Sequence, residues 1–387
     1  MSRLPARLLT LALAAARSPR RRPPAGQPVR RILIAHYLLL GDTLLLAPLL
    51  ARLARRYPQA ERVVLARPAV APLFAGQPYG ARALAYDPRD FSTFRALLAA
   101  GPFDLAFVLG DNRYGWLARA AGARWIVGFA GDRPAWKNWM IDAPRDFPAT
   151  PAAWADMAAG LCDGLGVATG GEMNDDMTAV ADDELPPFAP GDWPAPPAAD
   201  FAQPATAYAV LHVGASTPLK LWPPERWRAL ADTLRGRGLV PVWSAGTGEG
   251  ALVDAIDPAR RDPRHCGTLS LPQLWRLLAG ARLLICPDTG VAHLGKLVGV
   301  PTVALFGPGA PDIYGKGRFW RNAPYVALAE DPFACRDQPL LFRRALPWVR
   351  RCGRGPAACA TPGACMRAIP LAAVERAALR FLDGQPG

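Results

Sequence analysis

Apolar runs of strand length alternate with segments of helical spacing along most of the chain, and this alternation limits the possible folds more than any other feature. In the first half, the run "RILIAH" at residues 31–36 precedes a helical segment at 42–57, and similar runs follow at 62–66, 103–110 and 124–130. Uninterrupted apolar runs suit parallel strands that helices cover on both faces. The sequence therefore predicts an α/β fold with doubly wound parallel sheets.

A proline-rich segment divides this pattern into two halves. Residues 186–204 contain seven prolines, and the alternation restarts after them with a strand at 208–215 and a helix at 224–238. A stiff, extended connector of this kind marks a domain boundary. We therefore predict two Rossmann-like domains that face a central cleft, because open α/β sheets bind ligands beyond the carboxyl ends of their strands. The predicted parts are a basic extension at 1–29, a first domain at 30–185, the linker at 186–204 and a second domain at 205–387 that ends in a cysteine- and arginine-rich tail.

The N-terminal extension is strongly basic. The chain carries a net charge of +13, and its first 31 residues hold eight arginines and no acidic residue. The apolar run at residues 8–16 is too short to span a bilayer, which takes about 20 residues. Its prolines favour disorder over a short basic helix on an anionic membrane surface. Seven cysteines scattered along the chain indicate a reducing cytoplasm rather than a disulfide framework.

The segment "CPDTGVAHLGKLVGVPTVALFGP", at 286–308, places polar residues where a strand turns into a helix. Asp288, Thr289 and Gly290 form the predicted turn, and the first helix amides lack internal partners, so they offer an anion site. Gly290 permits close approach to the backbone, and Thr289 and His293 share a helix face. A diphosphate would fit this site. The alternatives are that Asp288 only caps the helix and that His293 is a buried, satisfied histidine.

Two further strand ends of the second domain carry polar residues. The first offers Ser216, Thr217 and Lys220, and the lysine could neutralise a phosphate unless it is simply solvated. The second offers Glu249, a carboxylate suited to ribose hydroxyls. The nearby glycines lack the third glycine of a dinucleotide fingerprint, which disfavours a dehydrogenase. No recognised nucleic-acid-binding module is present.

In the first domain, Gly41 and Asp42 stand at the first turn from strand to helix, opposite these groups. A carboxylate there could act as a general base on an acceptor hydroxyl, or it could only cap its helix, and the residues alone leave both interpretations open. Pro48 lies beyond the first turn of that helix and should kink it.

Three segments carry a family resemblance that runs from about residue 30 to 380. "LLLGDTLLLAPLLARLARRYP", "HVGASTPLKLWPPERW" and the segment at 286–308 are together similar to glycosyltransferase family 9, which contains the ADP-heptose:lipopolysaccharide heptosyltransferases. The resemblance implies a GT-B fold and an inverting sugar transfer without a metal or other cofactor. It places a nucleotide-sugar donor, such as ADP-heptose, in the second domain and a lipid-linked glycan acceptor in the first.

By position, the resemblance also assigns roles to residues. Asp42 matches the general base, Lys220 matches the lysine that meets the donor phosphates, and Ser216 lies in the same loop. The residues Asp288, Thr289, Gly290 and His293 match the segment around the donor diphosphate and sugar, and Glu249 matches a glutamate near the nucleoside. The alternatives are a different nucleotide-sugar donor and a non-catalytic protein that binds nucleotide sugars.

The acceptor, the location and the metal content complete the expectations. Arg113, Arg133 and Lys137 follow strand ends of the first domain and could meet acidic groups of the acceptor, or each could be an ordinary packed or surface residue. We expect a cytoplasmic enzyme held peripherally at the inner face of the inner membrane by its basic ends, and no nucleic-acid partner. Four thiols of the tail could bind zinc, but they lack a CxxC pair, so reduced cysteines without metal are expected. They are Cys335, Cys352, Cys359 and Cys365.

Overall fold

Two six-stranded parallel sheets form the framework of the molecule. The computed structural model describes residues 4–21, 23, 28–163, 185–197, 200–330 and 333–385. In the first sheet the strand order is β3-β2-β1-β4-β5-β6, and in the second it is β12-β11-β10-β7-β8-β9, which is the same doubly wound order. The predicted pair of Rossmann-like domains is thereby confirmed. The strands are β1 Arg31–Ala35, β2 Glu61–Ala66, β3 Ala81–Ala85, β4 Phe103–Val108, β5 Ala123–Phe129, β6 Ala143–Arg145, β7 Tyr208–His212, β8 Val240–Ala245, β9 Arg264–Cys266, β10 Leu283–Pro287, β11 Thr302–Leu305 and β12 Tyr325–Leu328.

Central and edge strands differ in how clearly the sequence marks them. The central strands β4, β7 and β10 are almost wholly buried, as the uninterrupted apolar runs predict. The strands that the apolar pattern missed are β3, β6, β9 and β12, which occupy the sheet edges. Edge strands pack fewer side chains into the core, so their sequences carry a weaker apolar signal.

Helices cover both faces of each sheet, and one of them is broken as expected. The predicted helix at 42–57 is two helices, because the chain turns at Leu45 and Leu46 and restarts with Pro48 in its first turn. Among the described residues, no helix has the length and apolar character needed to cross a membrane. The helices are α1 Leu4–Arg17, α2 Leu40–Leu44, α3 Ala47–Arg56, α4 Phe91–Ala100, α5 Arg113–Ala120, α6 Trp154–Gly160, α7 Pro224–Gly236, α8 Gly250–Ile256, α9 Leu271–Ala279, α10 Gly290–Val298, α11 Pro311–Tyr314, α12 Ala364–Ala368 and α13 Leu371–Leu382.

The N-terminal extension differs from the expectation of disorder. Residues 4–17 form α1, which packs against α5 of the first domain. The prolines at 19, 23, 24 and 28 follow this helix, so they end it without interrupting it. Ala14 is fully buried, and small residues on this face allow the two helices to approach closely. Residues 1–3, 22 and 24–27 of the extension lie outside the described residues.

The linker and the tail both contact the first domain. Trp193 of the linker is fully buried, and its Nε1 donates to the carbonyl of Leu73 at 2.9 Å. A hairpin of β13 (Leu340–Leu341) and β14 (Arg344–Ala345) returns from the second domain, and Arg344 donates to the carbonyls of Gly110, Phe129 and Ala130. The tail is therefore not confined to the second domain, and Arg344 is a buried structural residue rather than part of an exposed basic patch.

Candidate functional site

A cleft of about 860 Å³ lies between the two domains, where the carboxyl ends of both sheets meet. Asp42 follows β1, while Lys220 and Asp288 follow β7 and β10. The strand order reverses between β1 and β4 in the first sheet and between β7 and β10 in the second. Ligands of doubly wound folds bind at this point of the sheet. The structure brings nine predicted residues to the walls of this one cleft. They are Asp42, Ser216, Thr217, Lys220, Glu249, Asp288, Thr289, Gly290 and His293.

The start of α10 forms one wall and carries two buried polar atoms without partners. Thr289 is the N-cap residue, and Gly290, which also lines the cleft, opens the helix. Within the described part of the chain, no group hydrogen-bonds Thr289 Oγ1 or His293 Nδ1. Buried polar atoms normally have partners, and both residues line the cleft, so these two atoms are candidates to bond a ligand there. The satisfied-histidine alternative does not fit this geometry, and Asp288 is not the cap.

Burial keeps His293 neutral. Desolvation, followed by the nearby charges of Lys296 and Lys220, lowers the pKa of its imidazole well below the ordinary value. A neutral imidazole can accept or donate one hydrogen bond at the free nitrogen without adding charge to the site.

Lys220 is held at the start of α10 by an ion pair. Its Nζ donates to Asp288 Oδ2 at 2.8 Å and to the Asp288 carbonyl at 2.7 Å. The ammonium group is therefore not a freely solvated loop charge, because the carboxylate fixes it beside the open helix amides. This pairing explains why Asp288 does not cap the helix.

The loops after β7 and β8 are tied together by Glu249. Its carboxylate accepts from the amide of Ala215 at 3.0 Å and from that of Gly246 at 2.6 Å. Each carboxylate oxygen accepts one of these bonds and keeps a second lone pair that a ribose hydroxyl could use. The expected role of Glu249 on ribose hydroxyls stays a prediction. Ser216 is exposed on the cleft wall, and Thr217 Oγ1 accepts from the amide of Leu219 at 3.4 Å.

Asp42 faces these groups from the first domain. The N-cap of α2 is Leu39, and Asp42 lies inside the first turn without a capping bond, so the simple cap interpretation fails. Desolvation and the nearby Asp288 carboxylate raise the pKa of Asp42 to about 6, although Lys220, Arg351 and Arg67 oppose the shift. A carboxyl group with this pKa can hold a proton transiently near neutral pH, as a general base must.

Two glycines let the domains touch beside Asp42. A Cβ atom on Gly41 would lie 2.7 Å from His293 Cδ2, and one on Gly290 would lie 2.9 Å from Leu40 Cβ. Both distances are shorter than real Cβ contacts. The contact between α2 and α10 therefore requires a residue without a side chain on each helix, and it brings the first-domain carboxylate to the start of α10.

Several cleft residues were not predicted for the site, and three of them carry polar groups of interest: Tyr314, Arg351 and His212. Tyr314 hydrogen-bonds Arg351, and both line the cleft near Asp42. His212, at the end of β7, lies 3.0 Å from Ser244 Oγ through Nδ1, and burial lowers its pKa to about 4. In the sequence, Arg351 is only one of several arginines of the tail. Arg351 is more than 300 positions from Asp42 in the chain, so no sequence pattern links the two residues. The tail brings Arg351 to the cleft after the hairpin of β13 and β14.

The predicted acceptor residues do not form one exposed patch. Lys137 is buried, and its Nζ pairs with Asp111 at 3.1 Å and Asp132 at 3.2 Å, so it is a structural residue. Arg113 is half-exposed and pairs with Asp111 at 2.7 Å. Arg133 is exposed at the carboxyl edge of the first sheet. Of the three residues, Arg133 and Arg113 remain candidates to contact an acceptor.

The four tail cysteines line one small cavity of about 20 Å³, and all seven cysteines are free thiols. Across the described ranges, no set of three or more His, Cys, Asp or Glu side chains is arranged to hold a metal ion. The expectation of metal-free thiols stays a prediction, which metal analysis of the purified protein tests: stoichiometric zinc or iron would contradict it.

The family model of glycosyltransferase family 9 (heptosyltransferase) matches residues 93–338, more than half of the chain. Lipopolysaccharide heptosyltransferase 1 of Pseudomonas aeruginosa is 29% identical over 357 residues, which cover 82% of this chain and 95% of that protein.

Two solved structures of Escherichia coli proteins have a similar fold. The ADP-heptose lipopolysaccharide heptosyltransferase II matches with a TM-score of 0.67 and 18% identity, over 92% of this chain and 99% of that one. Heptosyltransferase WaaC with ADP matches with a TM-score of 0.61 and 16% identity, over the same shares of the two chains. The likeness shows the GT-B fold that the sequence predicts.

Proposed function

The chain belongs to glycosyltransferase family 9, and from this premise we propose that it transfers a heptose from ADP-heptose to a growing lipopolysaccharide core. The observation that carries this proposal is the arrangement across the cleft: a carboxylate with a raised pKa on one side, and an open helix start with a fixed lysine on the other. A nucleotide diphosphate suits the second wall and an acceptor hydroxyl suits the first.

We propose an inverting, single displacement. The acceptor hydroxyl forms a new bond to the anomeric carbon while the bond from that carbon to the diphosphate oxygen breaks. Asp42 takes the hydroxyl proton, and ADP leaves with the electron pair of the broken bond. Attack from the side opposite the leaving group inverts the anomeric configuration, which places base and diphosphate on opposite walls.

The leaving group can be neutralised by residues of the chain, so we propose that the transfer needs no metal. The amides at the start of α10, the helix dipole and the Lys220 ammonium meet where a diphosphate would develop charge. Thr289 Oγ1 and His293 Nδ1 supply two further hydrogen-bonding atoms. The donor proposal is also supported by the solved relative with bound ADP.

We propose further that the enzyme works peripherally at the cytoplasmic face of the inner membrane. Its relatives are lipopolysaccharide heptosyltransferases, and a lipid-linked acceptor would have to be met at a bilayer surface. The positive charge of the chain favours anionic lipid.

The direct test is a transfer assay with purified protein, ADP-heptose and detergent-dispersed lipopolysaccharide that lacks heptose, with products read by mass spectrometry. We expect one heptose to be added per acceptor, with the anomeric configuration inverted and with activity retained in a metal chelator. A parallel thermal-shift panel of nucleotide diphosphates should show the largest stabilisation with ADP. Transfer from a nucleotide-linked hexose instead, or ADP binding without transfer, would select one of the two alternatives.

A further inference from the structure

Helix α1 presents three leucines, Leu8, Leu9 and Leu11, to solvent rather than to the protein. Its inner face, at Ala14 and the half-buried Thr10, packs against α5, whereas Leu8 is 59% exposed and Leu11 is 47% exposed. A helix on a water-soluble surface normally turns its largest apolar residues inward. Among the described side chains of α1 the most buried is an alanine, and three leucines are exposed, so the outer face is available to an apolar partner.

Two exposed tryptophans pack on α5, the helix that α1 also contacts. Trp139 is 63% exposed and Trp136 is 39% exposed, and both contact Trp116 of α5. The segment that follows α1 is bonded to one of them, since Arg21 Nη2 donates to the Trp139 carbonyl at 2.9 Å. We call the exposed residues Leu8, Leu9, Leu11, Trp136 and Trp139 the α1–tryptophan surface.

The charges around this surface are positive. Arg7 is exposed on α1, and no acidic residue occurs in the first 31 positions. Arg133 lies three positions before Trp136 and is also exposed. Basic residues that flank exposed leucine and tryptophan match the boundary of an anionic bilayer, where arginines meet the headgroups and tryptophan rings lie at the interface.

We propose that the α1–tryptophan surface inserts into the headgroup region of an anionic lipid bilayer. The reason for membrane docking rests on the proposed function, because a lipid-linked acceptor must reach the first domain. Helix α5, against which α1 and both tryptophans pack, begins after β4, at the sheet edge that faces the cleft. Docking through α1 would therefore hold the acceptor side of the cleft near the bilayer. Apolar insertion adds to the attraction by basic charge, so binding should persist in part at high salt.

The test is flotation of the full chain with vesicles of phosphatidylcholine alone and of phosphatidylcholine with phosphatidylglycerol. We expect the wild-type protein to bind the anionic vesicles and the double variant Leu8→Ser/Leu11→Ser to bind them at least about tenfold more weakly, because two apolar contacts are lost. Leu340→Ser, at an exposed leucine outside the surface, is the matched control and should bind like the wild type. Brominated lipid should quench Trp139, and Trp139→Phe should reduce that quenching.

Three results would overturn the proposal. They are absence of wild-type binding, equal binding by the double variant, and light scattering that shows a dimer which the double variant converts to a monomer. The last result would mean that the surface joins two copies of the chain. Transfer to a detergent-dispersed acceptor separates this inference from the proposed function: transfer without vesicle binding defeats only the inference, and vesicle binding without transfer defeats only the function.

Discussion

Asp42 shows how the surroundings of one residue give it a chemical role. A capping aspartate would be ionised well below neutral pH, but burial and Asp288 raise the pKa of Asp42 to about 6. The charges of Lys220 and Arg351 keep the shift moderate. A base must be deprotonated to accept a proton, so the active form of Asp42 exists above this pH.

The first prediction is that kcat/KM rises as the pH increases through about 6 and that Asp42→Asn removes this rise. The variant should lower kcat by about 10²–10⁴-fold, the usual contribution of a general base, and leave ADP affinity nearly unchanged. Steady-state transfer over a pH series measures both effects. Asp42→Glu, which keeps the carboxylate, should retain the pH-dependent rise; a wild-type rate independent of pH in this range would contradict the base assignment.

The second prediction concerns Lys220, whose ammonium is fixed by Asp288 at the start of α10. Lys220→Ala should weaken ADP binding by about 10–100-fold, because a charged hydrogen bond to a phosphate contributes about 1.5–3 kcal/mol. The variant also leaves the Asp288 carboxylate unpaired beside the diphosphate. Calorimetric titration with ADP measures the change. Lys316→Ala, at a lysine outside the cleft walls, should bind ADP normally; unchanged affinity in Lys220→Ala would remove the phosphate role.

At the scale of elements, the contact between α2 and α10 sets how closely the two domains meet. The two helices approach each other at Gly41 and Gly290. A larger residue at either position would place its Cβ against the opposite helix. Because the base lies on one helix and the diphosphate site on the other, the spacing of these elements controls the distance over which the reaction must occur.

The third prediction is that Gly290→Ala separates α2 from α10 and lowers kcat/KM by about tenfold or more, because the new Cβ lies 2.9 Å from Leu40 Cβ and 3.0 Å from the Gly41 amide nitrogen. Steady-state transfer measures the loss. Gly250→Ala, at the start of α8, is the matched control, since its nearest atom would be 3.8 Å away. Equal activity of the two variants would show that the close contact is not needed for transfer.

At the scale of the molecule, the two domains are joined by more than the linker. The hairpin of β13 and β14 leaves the second domain and docks on the first through Arg344, whose guanidinium donates to three backbone carbonyls of the first domain. The same tail brings Arg351 to the cleft. The tail therefore has two roles: it holds the two domains together, and it supplies a residue to the cleft.

The fourth prediction follows from that coupling. Arg344→Met should lower the midpoint of thermal unfolding, because it leaves the buried carbonyls of Gly110, Phe129 and Ala130 without their donor, and each lost bond to a charged group costs about 1.5–3 kcal/mol. Arg343→Met, at the exposed neighbour on the same hairpin, should change the midpoint little. Differential scanning calorimetry compares the two. Equal midpoints would mean that the hairpin does not hold the domains together.

The sequence by itself determined the strands at the sheet centres, the break at Pro48 and the motif residues at the strand ends. These features depend on short-range periods, on backbone rules for proline, and on the fact that parallel strands bring their carboxyl ends to one edge. The resemblance of three ordered segments then identified the family.

Only the tertiary structure decided which charges are free and which are buried. Lys137 and Arg344 look like surface cations in the sequence, yet Asp111 and Asp132 surround the first and three carbonyls surround the second. The edge strands, the packed α1 and the arrival of Arg351 at the cleft likewise depend on contacts between residues far apart in the chain. Contacts between distant residues decide whether a charged side chain is buried or paired, so the local periodicity of the sequence cannot predict it.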